Sequence, residues 1–329
     1  MTPQGDDHSD AHVHPHEPIS RPGLSRRTLL QGAAFGFAAA IASCLVRAEE
    51  AVAGPVVKLP GFSAFASSVK VLKSGAYYLV ESNGLPPHNM MVGITNWQQQ
   101  VPVPQPYSGA NAWKIPVTPR LAANPVSARN NLFRGAIALA ADGVPIFNAL
   151  NNRGEDSYLI GELDQWGGHC GRADDYHYHV APLHLSKTVG ATKPIAYALD
   201  GYPLYGALEP NGTPMRPLDQ YNGHEFKGSY HYHGTTTYPY INGGMRGVVT
   251  VKDGQVDPQP TARPFRPDGA PLPGAAITAF ARHGASDFAL AYAYQGGTYH
   301  IDYTATDQSV SMTFTDPSGS TSQQSYARR

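Results

Sequence analysis

Alternation of apolar and polar side chains predicts β-strands in the last part of the chain. The alternating stretches are 287–294, 298–303 and 310–314, separated by Gln-Gly-Gly and Thr-Asp-Gln turns. A period of two places successive side chains on opposite faces of a strand, so each stretch has one apolar face to bury. The pattern predicts a small antiparallel β module over residues 275–329.

A longer pattern occurs twice in the middle of the chain. Residues 137–147 match residues 195–205, and each copy has an apolar run, an Asp-Gly pair and a proline followed by further apolar residues. Asp-Gly favours a tight turn, so each copy predicts a β-hairpin. A Tyr-His-Tyr-His tetrad, at 176–179 and at 230–233, follows each copy. This order predicts a mainly β core of two pseudo-repeats, each a hairpin plus one further strand.

The two tetrads place pairs of histidines on one face of a strand. In a strand His177 and His179 share a face, as do His231 and His233, while the tyrosines point the other way and serve packing. Neutral imidazole is a common ligand of copper, zinc and iron. A pseudo-twofold relation between the repeats would bring the two arms into one metal site. The alternative is a half-buried strand whose histidines only hydrogen-bond to backbone or water.

Three further residues are candidate ligands. A glycine-rich loop over 161–171 delivers His169 and Cys170 just before the first tetrad. His169 is an added ligand or an acid/base group, and Cys170 is either a thiolate ligand or a buried thiol that acts as a small hydrophobic residue. His88, in a Pro-Pro-His stretch, is a weaker candidate because a loop histidine is commonly exposed to solvent.

Two acidic residues lie in the Asp-Gly pairs. Asp142 and Asp200 are best explained by the turn, because Asp-Gly suits a position with positive φ. A carboxylate that orients a metal-bound histidine through a hydrogen bond is the alternative role. His300 alternates with tyrosines in the C-terminal module and has no second histidine at ligand spacing, so a packed or surface role is expected for it.

Residues 1–53 have the features of an export signal. Arg26 and Arg27 stand directly before a weakly apolar run, Leu29 to Val46, which resembles a twin-arginine signal and predicts a periplasmic or otherwise exported protein. Cleavage is expected after Ala53 or Ala48. A transmembrane anchor is an alternative that the weakly apolar run disfavours. With the anchor set aside, a membrane would be a partner only if Cys44 is lipidated. The leader histidines, His8, His12, His14 and His16, would leave with the signal.

Composition and charge narrow the function classes. The 329 residues include 34 Gly, 29 Pro and 19 Tyr, which is typical of many short strands and turns. The formal net charge of −1, without a basic block, argues against nucleic acid or an anionic membrane surface as the main partner. Cleavage leaves Cys170 as the single cysteine, so no internal disulfide is expected. A proline-rich connector over 253–274 separates the core, 54–252, from the C-terminal module.

Taken together, these motifs resemble the bacterial YHYH-domain proteins. The resemblance rests on the two tetrads, the Gly-Gly-His segment, the Asp-Gly-x-Pro turns and the Pro-Pro-His stretch, and it spans roughly residues 80–252. It implies membership of that family and supplies no activity. One departure is Trp166, which stands where the family's Asp-x-Cys-x-Gly-His pattern has a cysteine.

A fainter similarity is to the multicopper oxidases. The segment 228–233, followed by the Gly-Gly-Met-Arg-Gly and apolar series at 243–251, is similar to the His-x-His and glycine pattern of those enzymes. Their copper cluster needs four His-x-His pairs and this chain has two, so the similarity implies at most a copper site on a related β-scaffold. A cupin is a further fold alternative, but the glutamate expected shortly after His233 is missing.

The sequence therefore predicts an exported cell-envelope protein that binds a transition metal through its paired tetrads. Copper is the first choice because four imidazoles suit Cu(II), with zinc and then iron as alternatives. A metalloenzyme, copper oxidase-like or zinc hydrolase-like, would use the same histidines and an unknown small-molecule substrate. A structural β module without metal is the third class, and the sequence indicates no reaction.

Overall fold

Twenty β-strands and one short helix form residues 54–329, the part of the chain that the computed structural model describes. The predicted export signal lies outside these residues. In chain order the strands are β1 (Lys70–Ser74), β2 (Tyr77–Glu81), β3 (Trp113–Pro116), β4 (Leu121–Ser127), β5 (Ala136–Ala140), β6 (Pro145–Phe147), β7 (Gly168–Cys170), β8 (Tyr176–Tyr178), β9 (Ala196–Ala198), β10 (Pro203–Tyr205), β11 (Gly223–Phe226), β12 (Ser229–His233), β13 (Gly244–Gly247), β14 (Thr250–Lys252), β15 (Gln255–Asp257), β16 (Ala276–Arg282), β17 (Asp287–Tyr294), β18 (Gly297–Ala305), β19 (Ser309–Thr315) and β20 (Thr321–Ala327). The helix α1 spans Ser186–Val189, and 3₁₀ turns span Phe62–Phe65, Gly109–Asn111 and Leu183–Leu185. The prediction of a mainly β fold is confirmed.

The largest sheet has eight strands in the order β11-β12-β10-β9-β5-β6-β8-β7. Its halves are related by a pseudo-twofold axis between β5 and β9, which pair antiparallel. Leu139 lies opposite Tyr197, and these two residues are equivalent at the 58-residue offset of the repeat. From this axis outward each half contains the predicted hairpin, the tetrad strand and an edge strand. The duplicated core is therefore one symmetric sheet.

Each half begins with the Asp-Gly hairpin that the sequence predicts. Gly143 has φ +84° and Gly201 has φ +95°, values that favour glycine. The carboxylates of Asp142 and Asp200 each accept a hydrogen bond from the backbone N–H two residues on. Both second strands, β6 and β10, begin with proline, which is tolerated at the first position of a strand. The turn role of the two aspartates is confirmed.

The strands at the centre of the sheet are covered on both faces. Every residue of β5 and β9 is buried, and Ile137 and Leu139 have no exposed surface. A continuous apolar run of this kind is typical of a strand with both faces covered, in contrast to the alternating strands of the C-terminal module. The two hairpins that carry the tetrad strands therefore rest on a closely packed base.

The sheet order keeps the two tetrads apart. Strands β8 and β12 are five places from each other in the order, and neighbouring strands lie about 4.8 Å apart, so the separation along the sheet is about 24 Å. The expectation that the pseudo-twofold axis brings both arms into one site is wrong. The reason is that the axis passes between β5 and β9, which places the arms toward opposite edges.

The C-terminal module is a five-stranded antiparallel sheet, β16 to β20 in sequential order. Three of its strands follow the predicted alternation, and β16 and β20 add one at each edge. Its residues share the hydrophobic core of the rest of the chain, and the Tyr303 hydroxyl donates a hydrogen bond to the carbonyl of Pro102 at 2.7 Å. The predicted core boundary at 252 falls at the end of β14, which pairs with β15.

Three smaller sheets complete the described part of the chain. They are β1-β2-β3, the pair β13-β4 and the pair β14-β15. Among the described residues no helix has the length and apolar character needed to cross a membrane.

Candidate metal centres

Three histidines converge at one edge of the large sheet. His169 on β7 lies opposite His177 on β8 in the strand register, and His179 follows directly after β8. The Nε2 atom of His179 lies 3.0 Å from Nε2 of His169 and 3.1 Å from Nε2 of His177. Two nitrogens held by one ion at 2.0–2.1 Å, with angles of 90–110°, are about 2.9–3.4 Å apart. This group, the first histidine site, has the spacing of a ligand set.

Hydrogen bonds on the other ring nitrogens fix two of these imidazoles. Nδ1 of His177 donates to the carbonyl of Asp175 at 2.9 Å, and Nδ1 of His179 donates to the carbonyl of Asn148. In a neutral ring this leaves Nε2 as an acceptor only. Two acceptors at 3.1 Å cannot hydrogen-bond to each other, but both could bind one cation between them.

The surroundings keep the first histidine site uncharged. Burial lowers the pKa of His169, His177 and His179, and the neighbouring imidazoles lower the pKa of His169 and His177 further. The ring of Phe147 stacks on His177 with centroids 3.9 Å apart. Neutral imidazole is the form that binds a metal, so these rings are ready to bind at neutral pH.

A cleft of about 700 Å³ opens onto the first histidine site. Its walls include polar side chains such as Asn151, Arg153 and Glu162, together with all three histidines of the site. Arg153 binds Glu162 at 2.7 Å, and the amide of Asn151 lies 3.3 Å from the same carboxylate. The cleft gives a small molecule access to an ion at this site.

A second group lies toward the other edge of the sheet, related to the first by the pseudo-twofold axis. His224 on β11 lies opposite His231 on β12, and His233 ends β12. Nε2 of His231 lies 3.0 Å from Nε2 of His224 and 2.9 Å from Nε2 of His233. We call these three residues together with Glu209 the second histidine site.

Glu209 adds a carboxylate to the second histidine site. Its oxygens lie 3.1 Å from Nε2 of His224 and 3.1 Å from Nε2 of His231, and its side chain has no exposed surface. Burial raises the pKa of Glu209, but the N–H of Arg216 and the imidazoles outweigh this effect and hold that pKa below its usual range. A buried carboxylate among three imidazoles supplies a negative charge that a bound cation would neutralise.

The two sites differ at one equivalent position. Asn151 of the first half corresponds to Glu209 of the second at the 58-residue offset, and both make the same turn hydrogen bonds. An isolated bridge pairs Leu150 with Asp156 in one half and Leu208 with Pro214 in the other. The duplication therefore yields a neutral three-histidine site and a second site with one additional negative charge.

The tyrosines of the tetrads donate hydrogen bonds to aspartates on the opposite face of their strands, and all of these aspartates except Asp219 are buried. Four hydroxyl-to-carboxylate pairs form: Tyr176 with Asp164, Tyr178 with Asp142, Tyr230 with Asp219, and Tyr232 with Asp200. The predicted packing role of the tyrosines is thus accompanied by hydrogen bonds. The suggestion that Asp142 and Asp200 orient the metal-binding histidines is wrong, because their side chains bind the tyrosine face.

Two other candidates lie away from the histidine sites. Cys170 is buried, burial raises its pKa above the usual range of a thiol, and it belongs to none of the ligand groups found among the described residues. His88 joins Asp142 and His184 in a separate group on the tyrosine face of β8. His88 is therefore not an added ligand of either histidine site.

Sequence reasoning missed three of these residues. His224 had a clear signal, because Leu-Asp-Gln-Trp-Gly-Gly-His at 163–169 recurs as Leu-Asp-Gln-Tyr-Asn-Gly-His at 218–224. Glu209 had none, since its equivalent is Asn151 and it stands 22 residues before His231. His184 had no spacing relation to His88 or Asp142 along the chain.

Residues 112–213 match the family model described as YHYH protein. These residues form a YHYH domain. The match starts just before β3 and ends beyond β10, so the YHYH domain contains the first histidine site and the hairpin of the second half. The second tetrad lies beyond the matched residues and is the pseudo-twofold counterpart of the tetrad within the YHYH domain. No curated protein and no solved structure matches the chain.

Proposed function

We propose that this YHYH-domain protein binds two transition-metal ions, one at each histidine site. The observation that carries the proposal is the convergence of imidazole nitrogens, 2.9–3.1 Å apart, twice in one sheet. Residues that only served the stability of a strand would have no reason to direct three ring nitrogens at one point.

The donor sets support copper as the first choice. Imidazoles suit Cu(II) and zinc, and the affinity of a nitrogen site for divalent ions is highest for copper. The carboxylate of Glu209 makes the second histidine site more favourable for zinc or iron than the first site is. In each set the protein's own residues would hold and orient the ion.

Export through the twin-arginine pathway is part of the proposal. Arg26 and Arg27 before the run Leu29–Val46 support it, and that pathway carries folded proteins, which suits a metal inserted before export. Acting in the periplasm, the protein would hold or hand over metal in the cell envelope.

Metal content of matched variants tests the two-site proposal. The untagged full chain is dialysed against Cu(II) or Zn(II) and measured by elemental mass spectrometry beside His177→Ala, His231→Ala and, as control, the exposed His300→Ala. Because all four proteins share the leader histidines, their contribution cancels in the differences. Each tetrad variant should lose about one equivalent and the control none; unchanged metal content in both tetrad variants would contradict the proposal.

A metalloenzyme active at the first histidine site is a second candidate function, favoured by the cleft of about 700 Å³. Three protein ligands leave a position for substrate or water, as catalytic sites require. Azide added to the Cu(II) protein should change the electron paramagnetic resonance spectrum of His231→Ala, which retains the first site. An unchanged spectrum would show that the site is closed and not catalytic.

A further inference from the structure

A third group of potential ligands lies on the tyrosine face of β8. Nε2 of His88 lies 2.8 Å from the hydroxyl of Tyr178, which donates to Oδ2 of Asp142 at 2.9 Å. His184, in the 3₁₀ turn after the tetrad, completes the group, and one ligand atom from each of His88, Asp142 and His184 lies within 4.8 Å of the others. These three residues are called the third cluster.

The second half of the sheet shows how the same Asp–Tyr pair is satisfied without histidines. There the backbone N–H of Arg246 donates to the Tyr232 hydroxyl at 2.7 Å, and the N–H of Gly247 donates to Asp200 at 2.8 Å. In the first half Nε2 of His88 takes the place of the Arg246 amide at the tyrosine hydroxyl. The pseudo-twofold symmetry is therefore broken at the position where the imidazoles of His88 and His184 lie.

The third cluster contains a buried nitrogen without a hydrogen bond. Nε2 of His184 is shielded from solvent and has no partner, although the ring packs against His88 and Trp166 with centroids 5.0 and 4.8 Å away. A buried polar atom without a partner destabilises the fold, so a ligand bound at this position would remove that cost.

We propose that His88, His184 and Asp142, with the hydroxyl of Tyr178 as a fourth donor, form a third cation site. Two imidazoles and one carboxylate are the donor set typical of non-haem Fe(II), and a phenol oxygen keeps the site harder than the two histidine sites. The ligand class is a divalent first-row ion with a preference for oxygen donors.

The measured spacing suits this assignment. The ligand atoms of the cluster lie within 4.8 Å of one another, and bonds of 2.0–2.1 Å to one ion would require each side chain to shift by less than about 1 Å. His88 already directs Nδ1 at the carbonyl of Asn89, 2.6 Å away, which leaves Nε2 with its lone pair toward the cluster. The three donors come from three separate loops, as expected of a site that forms in the folded chain.

His184→Phe is the sharpest variant because it keeps an aromatic ring against Trp166 and removes only the nitrogens. The full chain with His177→Ala and His231→Ala, which lacks the other two sites, is dialysed against Co(II) with and without His184→Phe. The proposal expects the protein that keeps His184 to bind about one equivalent of cobalt more than the protein with His184→Phe. It also expects a cobalt-dependent rise in melting temperature that His184→Phe abolishes. His300→Ala in the same background is the control.

The outcomes separate this proposal from the two-site function. If His184→Phe leaves cobalt content and the cobalt-dependent melting shift unchanged, the third cation site is overturned while the histidine sites stand or fall on their own variants. If His184→Phe lowers the metal content of the otherwise wild-type chain while His177→Ala and His231→Ala do not, the third site stands and the two-site function fails. Should His184→Phe fail to fold, His88→Gln is measured in its place with the same expectations.

Discussion

At the scale of single residues, the orientation of each imidazole matters more than its presence. The carbonyls of Asp175 and Asn148 hold Nδ1 of His177 and His179, so both Nε2 atoms face the same point. Such partners of metal-bound histidines typically change metal affinity by about 10–100-fold when lost. In this sheet they are backbone carbonyls, which side-chain substitution leaves in place.

The difference between Asn151 and Glu209 gives a prediction at this scale. Glu209→Asn should weaken metal binding at the second histidine site by at least about tenfold. Losing a residue that only hydrogen-bonds to a ligand typically lowers metal affinity by about 10–100-fold, and losing a ligand itself should lower the affinity at least as much. Isothermal titration with Zn(II) measures it. The first site in the same protein is the internal control, and equal affinities before and after the change would show that Glu209 does not bind the ion.

At the scale of elements, the hairpin is the unit that is duplicated and that fixes each site. The turn holds the Asp that binds a tetrad tyrosine, and the second strand of the hairpin pairs parallel with the tetrad strand, as β6 with β8 and β10 with β12. One hairpin therefore holds the tetrad strand in two ways: its aspartate binds a tyrosine on one face of that strand, and its second strand pairs with the edge of that strand.

Gly143→Ala tests the importance of the turn. Positive φ costs an L-residue about 1–2 kcal/mol, and the new Cβ would lie 2.5 Å from Cβ of Ser82, so a loss of about 2–4 kcal/mol in unfolding free energy is expected. Gly228→Ala, with φ +78° and no atom within 4 Å, isolates the backbone cost at about 1–2 kcal/mol. Urea unfolding compares the two; equal losses would mean that the hairpin adapts.

Local patterns predicted the elements well and their arrangement poorly. The Asp-Gly turns and the strand character of the tetrads follow from residues close in sequence, which is why they were predictable. The separation of the arms depends on which strands pair across the axis at Leu139 and Tyr197, and no local pattern encodes that choice. Glu209 and His184 enter their groups through tertiary packing alone, whereas His224 was readable from the repeat.

At the scale of the whole molecule, the predicted connector is tied to the first histidine site. Arg266, within 253–274, donates two hydrogen bonds of 2.7 Å to Asp174, which lies between β7 and β8. The side chains are 12% and 5% exposed, so this ion pair is largely shielded from water. The connector therefore contributes to holding the strands that carry His169 and His177.

Arg266→Ala should lower the unfolding free energy by about 3–5 kcal/mol, because it leaves the buried Asp174 charge without its partner. The exposed pair of Arg172 and Asp268, 3.7 Å apart, provides the control: Arg172→Ala should cost less than about 1 kcal/mol. Chemical denaturation followed by tryptophan fluorescence measures both. A small loss in Arg266→Ala would mean that the connector is not part of the cooperative unit.

The proposed export concerns the whole chain and has its own test. Replacing Arg26 and Arg27 together by lysine should leave the folded protein in the cytoplasm, because the twin-arginine pathway requires the arginine pair. Immunoblotting of cytoplasmic and periplasmic fractions measures the distribution. Unchanged appearance in the periplasm would contradict the proposed route.

The most direct test of the central claim is anomalous X-ray diffraction from crystals grown with Cu(II) or Zn(II). Two binding sites predict one anomalous peak among His169, His177 and His179 and another in the second histidine site, each about 2.0–2.1 Å from the Nε2 atoms. The peaks should lie far apart, toward opposite edges of the eight-stranded sheet. Crystals in which both groups of histidines show no anomalous peak would contradict the account.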